Sequence, residues 1–305
     1  MNDPKRLAAR LEAEGAADVQ RDVPLAKHCT FRIGGSAALY AQPKTEEALL
    51  FTVRACKEAG VPMFFLGNGS NVLFSDAGFS GCVIETTALS EIELGPDGKI
   101  FARSGASLFA LCRFAQRHAL GGLAFAYGIP GTLGGALVMN AGAYGGQIGD
   151  VVESVRAYDI AADEVCTLRG DALDFRYRHS VFSAGGYLIL SAVLLLGAAD
   201  AEAVAREMQQ HLASRREKQP LEYPSAGSVF KRGDGFFTAQ LIDLAGLKGE
   251  RRGDAAVSEK HAGFIVNLGA ATAKDVKALI AVVQARVKEK FGKEIECEIC
   301  IAGER

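Results

Sequence analysis

Neither sign of charge dominates this sequence: 34 lysines and arginines stand against 36 aspartates and glutamates, a net charge of −2. With a pI near 6.3, it carries no electrostatic footprint for nucleic acid or an anionic membrane surface. The seven cysteines are odd in number and lack framework spacing, which argues against a disulfide scaffold and for a reducing compartment. The five histidines (28, 118, 179, 211 and 261) show no metal-ligand spacing. There is no phosphate-loop run of the type G-x-x-x-x-G-K-[ST], and no internal repeat. Met1-Asn-Asp-Pro-Lys-Arg leads into a charged amphipathic segment without the apolar centre of a secretory signal. These absences leave a cytoplasmic protein without structural metal as the expectation. At 305 residues the chain exceeds a typical single core and implies two or three domains.

Against that ordinary background one stretch stands out. Thirty-one residues, Ala119 to Gly149, pass without a charged side chain in a protein that is 23% charged. A membrane-spanning helix needs about 20 mostly apolar residues with few helix breakers. Here Gly128 to Gly146 holds seven glycines, a proline and an asparagine, so a lone lipid-facing helix is a poor fit. Glycine lets main chain turn through positive φ or lets a ligand approach without a Cβ in the way. The stretch is therefore the expected floor of a nucleotide-cofactor site, its amides meeting phosphates and ring edges.

Periodicity places elements around this floor. Pro4 to Glu14 is an amphipathic helix, and a strand over Ala37–Ala41 precedes a helix over Thr45–Ala59 with Thr45 as N-cap and Gly60 beyond its end. Met63-Phe-Phe-Leu is an apolar strand running into Gly67-Asn-Gly-Ser-Asn71, and Cys82–Ile84 is another strand. A hairpin follows, Ile92–Leu94 and Ile100–Ser104 around Gly95-Pro-Asp-Gly98. Ser107–His118 is helical, with Leu108, Leu111, Cys112 and Ala115 on one face. Strands at Ser154–Asp159, Cys166–Leu168 and Tyr187–Leu196 return to the hairpin's sheet, and Asp200–Arg216 is a helix. Glu222 to Lys231 turns into a short strand, Thr238–Ala245 is a helix ended by Gly246, and Phe264–Asn267 is a strand. Thr272-Ala-Lys-Asp275 opens a long helix as a capping box, and Gly292 closes it. The terminal Ile295-Glu-Cys-Glu-Ile-Cys-Ile301 alternates like a strand, with Cys297 and Cys300 on opposite faces and Glu296 and Glu298 on one. The expected fold class is α+β in three parts, residues 1–87, 88–198 and 199–305.

Taken singly, the motifs are weak. Gly67-Asn-Gly-Ser-Asn71 begins like a dinucleotide fingerprint but has Val72 in place of the third glycine, which argues against a Rossmann unit. A second backbone-rich segment at 128–146 strengthens it, because two nests of amides suit one pyrophosphate. Arg32 lies beside paired glycines, Arg178 beside Tyr177 and His179, and Ser228 in Ser225-Ala-Gly-Ser; each is more often a solvated charge or a turn hydroxyl than a site residue.

In combination they are specific. Thr30-Phe-Arg-Ile-Gly-Gly35, Gly67–Asn71, Gly128–Gly131 through Asn140–Gly145, Tyr177–Phe182, Ser225–Lys231 and Glu296-Cys-Glu298 follow in an order that resembles the UDP-N-acetylenolpyruvoylglucosamine reductase (MurB) family, from about residue 20 to 303. The short link between the Tyr187 strand and the Asp200 helix resembles the family's type II branch. The resemblance implies a cytoplasmic flavoenzyme of peptidoglycan precursor synthesis. Its fold would be a two-part FAD-binding fold of the vanillyl-alcohol oxidase type (subdomains 1–87 and 88–198), followed by a smaller α/β substrate-binding domain (199–305).

By position, the resemblance implies Arg178 as the charge-stabilising arginine, Ser228 as proton donor to substrate C2, and Glu298 as a carboxyl at the substrate carboxylate. For FAD it implies Arg32 and the turn Gly67, Asn68, Gly69, Ser70 and Asn71. The floor would add Ala126, Gly128, Ile129, Pro130, Gly131, Gly134 and Gly135, then Asn140, Gly142, Ala143, Tyr144 and Gly145. Arg215, Lys218 and Lys231 fall at positions near the diphosphate of the sugar nucleotide. NADPH would be the reductant and UDP-N-acetylglucosamine enolpyruvate the substrate, acting on a monomer without nucleic acid, membrane or metal. Cys29 and Cys297 depart from the family pattern, standing where asparagine and proline are usual. Two other readings compete: a flavin oxidase of the same superfamily, and a catalytically silent nucleotide-binding protein. No histidine occurs in 67–71 or 128–146 to tether a flavin, which weighs against the oxidase. Arg178, Ser228 and Glu298 together weigh against the silent protein.

Overall fold

A computed structural model describes residues 4–303. They form two compact units, each assembled from separate stretches of chain. The first comprises residues up to Arg21, Leu39–Asn68 and Gly81–Ser214; the second comprises Asp22–Ala38, Gly69–Ser80 and the chain from Arg215 onward.

In the first unit, the helix Glu46–Ala59 begins where the sequence places it. Thr45 accepts the Ala48 N–H at 3.2 Å, and Gly60 closes the helix at φ 64°. Its buried face, Leu49, Val53 and Cys56, packs with Leu7 and Leu11 of the helix Pro4–Ala13 and with Leu39, Cys82 and Ile84 from a sheet. The strand order of that sheet is Asp18–Pro24, Ser36–Gln42, Phe79–Glu85, Met63–Leu66, and its last two strands run parallel. Asp18–Pro24 is not legible as a strand because its exposure does not alternate.

The expected hairpin and returning strands do share one sheet. Its order is Glu164–Arg169, Val152–Asp159, Tyr187–Leu194, Ile100–Arg103, Ile92–Leu94, antiparallel throughout. The helix Leu108–Arg117 buries Leu108, Leu111, Cys112 and Ala115, as its spacing predicts, in a core with Leu133, Leu137, Val155 and Ala192.

The uncharged stretch is more regular than its glycines suggest, for Leu133–Met139 is an α-helix. Thr132 caps it by accepting from Gly135 at 3.4 Å, and Asn140 ends it at φ 42°. The helix survives two glycines because Leu133, Ala136 and Leu137 are buried. Gly134 lets it press on Ser104, where a Cβ would sit 3.1 Å from the side chain.

In the second unit, the strand order is Ser225–Ser228, Phe264–Asn267, Ala255–Val257, Arg251–Arg252. The helix Ala273–Phe291 buries Val276, Leu279, Ile280, Val283 and Val287. Its N-terminus is doubly held. Thr272 and Asp275 form the expected capping box, and the Asp76 carboxylate accepts from the Ala273 and Lys274 amides at 2.7 and 2.9 Å. Orphan amides of a first helical turn need such acceptors.

The single terminal strand expected over Ile295–Ile301 is corrected. Only Cys300–Ala302 is laddered, parallel to Val72–Phe74, whereas Cys297 bridges Phe230 antiparallel. The chain changes both partner and direction between these residues, so one straight strand cannot serve both. Strict alternation over the whole run fails with it, and Cys300 is exposed while Cys297 is half-buried. Among the described residues, no helix is long and apolar enough to cross a membrane.

His261 gives this unit a pH-dependent stability. Burial lowers its pKa below the ordinary 6.5, with the charge of Lys248 acting in the same direction. Its Nδ1 accepts the Gly263 N–H at 3.2 Å, a bond only the unprotonated nitrogen makes. As pH falls, the unfolded chain therefore takes the proton first. The contribution is complete above the unfolded value near 6.5 and declines below it, toward the lower folded value. Denaturant midpoints measured from about pH 7 down to about pH 5 should fall further in the parent than in His261→Gln.

Candidate functional site

The proposed site residues divide between the two units, and the boundary falls inside the turn Gly67–Asn71, between Asn68 and Gly69.

In the first unit, the start of that turn joins the uncharged floor. The Asn68 side-chain amide donates to the Pro130 carbonyl at 3.4 Å. Gly67 is required by this approach, since a Cβ there would lie 2.3 Å from Thr132 Oγ1. Ala126 is buried, while Ile129 and Gly131 are half-buried and Pro130 is exposed.

Glycine does a different task further along. A Cβ at Gly145 would meet nothing within 4 Å, and one at Gly135 only Thr132 Oγ1 at 3.6 Å. These positions leave bare main chain at open surface rather than relieve a clash. Bare main chain of this kind leaves room for a large planar or phosphorylated cofactor to approach, and the residues fit FAD in this respect.

Past the helix, Asn140 is 1% exposed and its side chain is fully engaged. It donates to Gln147 Oε1 at 3.1 Å and to the Arg176 carbonyl at 2.9 Å, and accepts from Gly149 at 3.0 Å. These three bonds fix the shape of the loop. Gly142–Ala143 and Gly146–Gln147 form a small hairpin, with Tyr144 and Gly145 as its two-residue connection. Arg178, at φ 52°, donates from Nη2 to the Gly142 carbonyl at 3.2 Å and lies 5.4 Å from the Tyr177 ring. The charge-bearing candidate is tied to the floor itself.

In the second unit, Ser228, Lys231, Glu296 and Glu298 come together. The Lys231 amide donates to the Glu296 carbonyl at 2.9 Å and the Glu298 amide to the Val229 carbonyl at 2.7 Å, so the two segments lie side by side. Lys231 Nζ is 3.1 Å from Glu296 Oε2, an exposed pair of small energetic weight. The rest of the turn belongs here too. Asn71 Nδ2 donates to the Glu298 carbonyl at 3.4 Å, and the Asn71 carbonyl accepts from Cys300 at 3.0 Å. The Gly69 carbonyl accepts from Thr30 at 3.1 Å, two residues before Arg32, which is itself left-handed at φ 56°. Ser70 is half-buried between them.

The departures are local. Cys29 is buried with its thiol directed to the Ile33 carbonyl at 3.4 Å, and burial raises its pKa; the Cys297 thiol turns to Ile299 O at 3.7 Å. Arg215 is 7% exposed, the one charged side chain buried among the described residues, and Lys218 is exposed at the same helix end. Basic groups there complement the helix dipole.

Two shaping residues escape a sequence reading. Thr132, the cap of the floor helix, is signalled only by standing before Leu133. Gly227 carries only the general signal of a lone glycine entering a strand. Ser225 pairs with Val266 and Ser228 with Phe264, so an extra residue bulges between them, and Gly227 takes it up at φ 77°. Such bulges re-aim the next side chain. A Cβ at Gly227 meets nothing within 4 Å, so Gly227→Ala tests the dihedral alone. It should lower stability by about 1–2 kcal/mol and reduce turnover while leaving flavin content unchanged, as read by unfolding curves and visible absorbance.

The chain is similar to known proteins over almost its whole length. The FAD binding domain family matches residues 37–169, and the family described as UDP-N-acetylenolpyruvoylglucosamine reductase, C-terminal domain, matches residues 219–302. A reductase of that name from Clostridium novyi (strain NT) is 42% identical over 300 residues, 98% of this chain and 96% of the relative. The one from Clostridioides difficile (strain 630) is 45% identical over 289 residues, 94% of each. The crystal structure of the MurB reductase from Thermus caldophilus superposes with a TM-score of 0.78 at 32% identity, covering 93% of this chain and 98% of that one. An FAD-binding domain followed by a substrate-domain fold, and relatives of this kind over nearly the whole length, complete the assignment: this chain belongs to the UDP-N-acetylenolpyruvoylglucosamine reductase family.

Proposed function

We propose that the protein reduces the enolpyruvyl group of UDP-N-acetylglucosamine enolpyruvate to UDP-N-acetylmuramate, with NADPH as reductant, in the cytoplasm. FAD, when bound, supplies the two-electron chemistry that links NADPH to the enolpyruvyl carbon. The division into FAD-binding parts at 1–87 and 88–198 and a substrate part at 199–305 belongs to the same reading.

The chain's own residues then have defined tasks. A carbon–carbon double bond accepts hydride at C3 only if the growing negative charge is spread onto the conjugated carboxylate. Fixed donors and cations at that carboxylate stabilise the transition state more than the ground state. Arg178 serves as the cation, held by Gly142, and a protonated Glu298 would serve as a hydrogen-bond donor. Ser228 gives its proton to C2, completing net addition of hydride and proton. Its hydroxyl lies 3.4 and 3.5 Å from the Phe230 and Gly263 carbonyls. These are long, weak bonds, so little is lost when the hydroxyl turns to substrate. Arg215, Lys218 and Lys231 bind the diphosphate.

The observation that carries the reading is the presence of Ser228 beside the Glu296–Glu298 segment in one unit, with Arg178 anchored to the bare floor in the other. The test is spectroscopic. The purified protein should be yellow, bleach with NADPH, and recover colour on adding the enolpyruvyl sugar nucleotide without oxygen. Recovery only with oxygen would indicate an oxidase, and a colourless protein that takes up no FAD would defeat both.

A further inference from the structure

We propose that His211 is a positioning residue: by clasping Tyr144 at the tip of the Gly142–Gln147 hairpin, it fixes the carbonyl that orients Arg178. This rests on the functional reading above for what Arg178 does, and on geometry for how it is held.

The turn poses the first question. Tyr144 and Gly145 have φ of 52° and 88°, and they join strands paired Ala143 to Gly146 and Gly142 to Gln147. This is the type I′ pattern, which favours asparagine or glycine at its first position. A tyrosine there is strained, because its Cβ crowds the backbone in the left-handed region. Burial does not offset it, because Tyr144 is 44% exposed.

Instead the ring is held at two points by one residue. It stacks on the His211 imidazole, with centroids 4.2 Å apart and planes at 10°, and its hydroxyl donates to the His211 carbonyl at 3.1 Å. Stack and hydrogen bond together fix both the tilt and the reach of the tip. His211 itself sits mid-helix in Ala201–Lys218, its side chain 18% exposed and 3.4 Å from Glu207 one turn before. A rigid element thus grips a strained loop.

The other end of the hairpin meets the chemistry. The Gly142 carbonyl accepts from Arg178 Nη2, and Asn140 pins the facing Gln147. Arg178 is also left-handed, at φ 52°. Backbone strain at both ends of the path from Tyr144 through Ala143 and Gly142 to Arg178 persists only where the surroundings over-determine it. Moving the tip moves the carbonyl, and misplacement by about 1 Å can cost roughly a hundredfold in rate.

The test uses the full-length flavin-bound protein with His211→Ala, His211→Phe and Tyr144→Gly. His211→Ala should slow recovery of flavin absorbance by the enolpyruvyl substrate by about tenfold to a hundredfold, with bleaching by NADPH and flavin retention within about twofold. His211→Phe keeps an aromatic face and should recover most of the rate. Tyr144→Gly suits the turn better and should leave the melting temperature unchanged or raised, yet slow the substrate step alone; loss of a flavin contact by Tyr144 would instead release flavin or slow both half-reactions. A readout free of substrate is the nitrogen-15 signal of the Arg178 guanidinium, assigned with Arg178→Lys. It should broaden in His211→Ala and Tyr144→Gly and return in His211→Phe. An unchanged signal and rate in Tyr144→Gly would overturn the clasp, as would equal loss in both half-reactions with released flavin. If the parent itself fails to react with the enolpyruvyl nucleotide, the functional reading falls, and the guanidinium signal still decides the clasp.

Discussion

Ser228→Ala is expected to leave bleaching of the flavin by NADPH within about twofold of the parent, and to slow recovery by substrate roughly a thousandfold. The separation follows from where the hydroxyl stands. It belongs to the unit that holds Glu298 and Lys231, whereas the bare floor of Gly128–Gly145 lies wholly in the other. General acids contribute about 10²- to 10⁴-fold, and a serine sits at the strong end only when the acceptor carbon is very basic. Hydrogen for hydroxyl changes little else, because the two bonds it breaks are long. Stopped-flow absorbance under anaerobic conditions measures both halves. Equal slowing of the two would reassign Ser228 to the scaffold.

The second large effect is at Arg178. Removing one preorganised charge-stabilising donor commonly costs about 10²- to 10³-fold in turnover, and Arg178→Ala should fall in that range with substrate affinity much less affected. Lysine should rescue poorly, since a point charge on a flexible stem cannot keep the fixed fork that meets Gly142 O and a carboxylate together. Arg178→Gly separates fold from chemistry. Glycine suits φ 52°, so stability should stay within about 1 kcal/mol of the parent, while turnover drops as in the alanine variant. Parallel loss of stability and turnover in the glycine variant would mark Arg178 as a structural residue.

Much of this was legible in the residues, for identifiable reasons. Helices with a side-chain cap and a closing glycine, Thr45 with Gly60 and Thr272 with Gly292, appear within a residue of their expected bounds. Their signals are local, so tertiary context has little to override. Non-local pairing was opaque. Nothing in Asp18–Pro24 or Arg251–Arg252 alternates, and those strands exist because neighbouring strands accept them. The terminal run failed as one strand because its two halves answer to Phe230 and to Val72, partners distant in sequence. The site divides the same way. The proposed asparagines, arginines and glycine-rich turns can be picked out by type and order in combination, whereas Gly227, Thr132 and His211 enter through a bulge, a cap and a stack that only three dimensions create.

The second unit has a consequence for how the protein is made. Its Ser225 carbonyl accepts from Thr30 at 2.6 Å, its long helix is held by Asp76, and its last strand lies beside Val72–Phe74. Each of those partners leaves the ribosome some two hundred residues before the segment it awaits. Thr30, Asp76 and Val72–Phe74 must therefore wait through most of translation for their partners, and closing such wide loops is slow. A fragment expressed from residue 199 onward would emerge without the Asp76 carboxylate at the start of its long helix and without its parallel neighbour. It should aggregate unless a peptide spanning 22–80 is supplied alongside it.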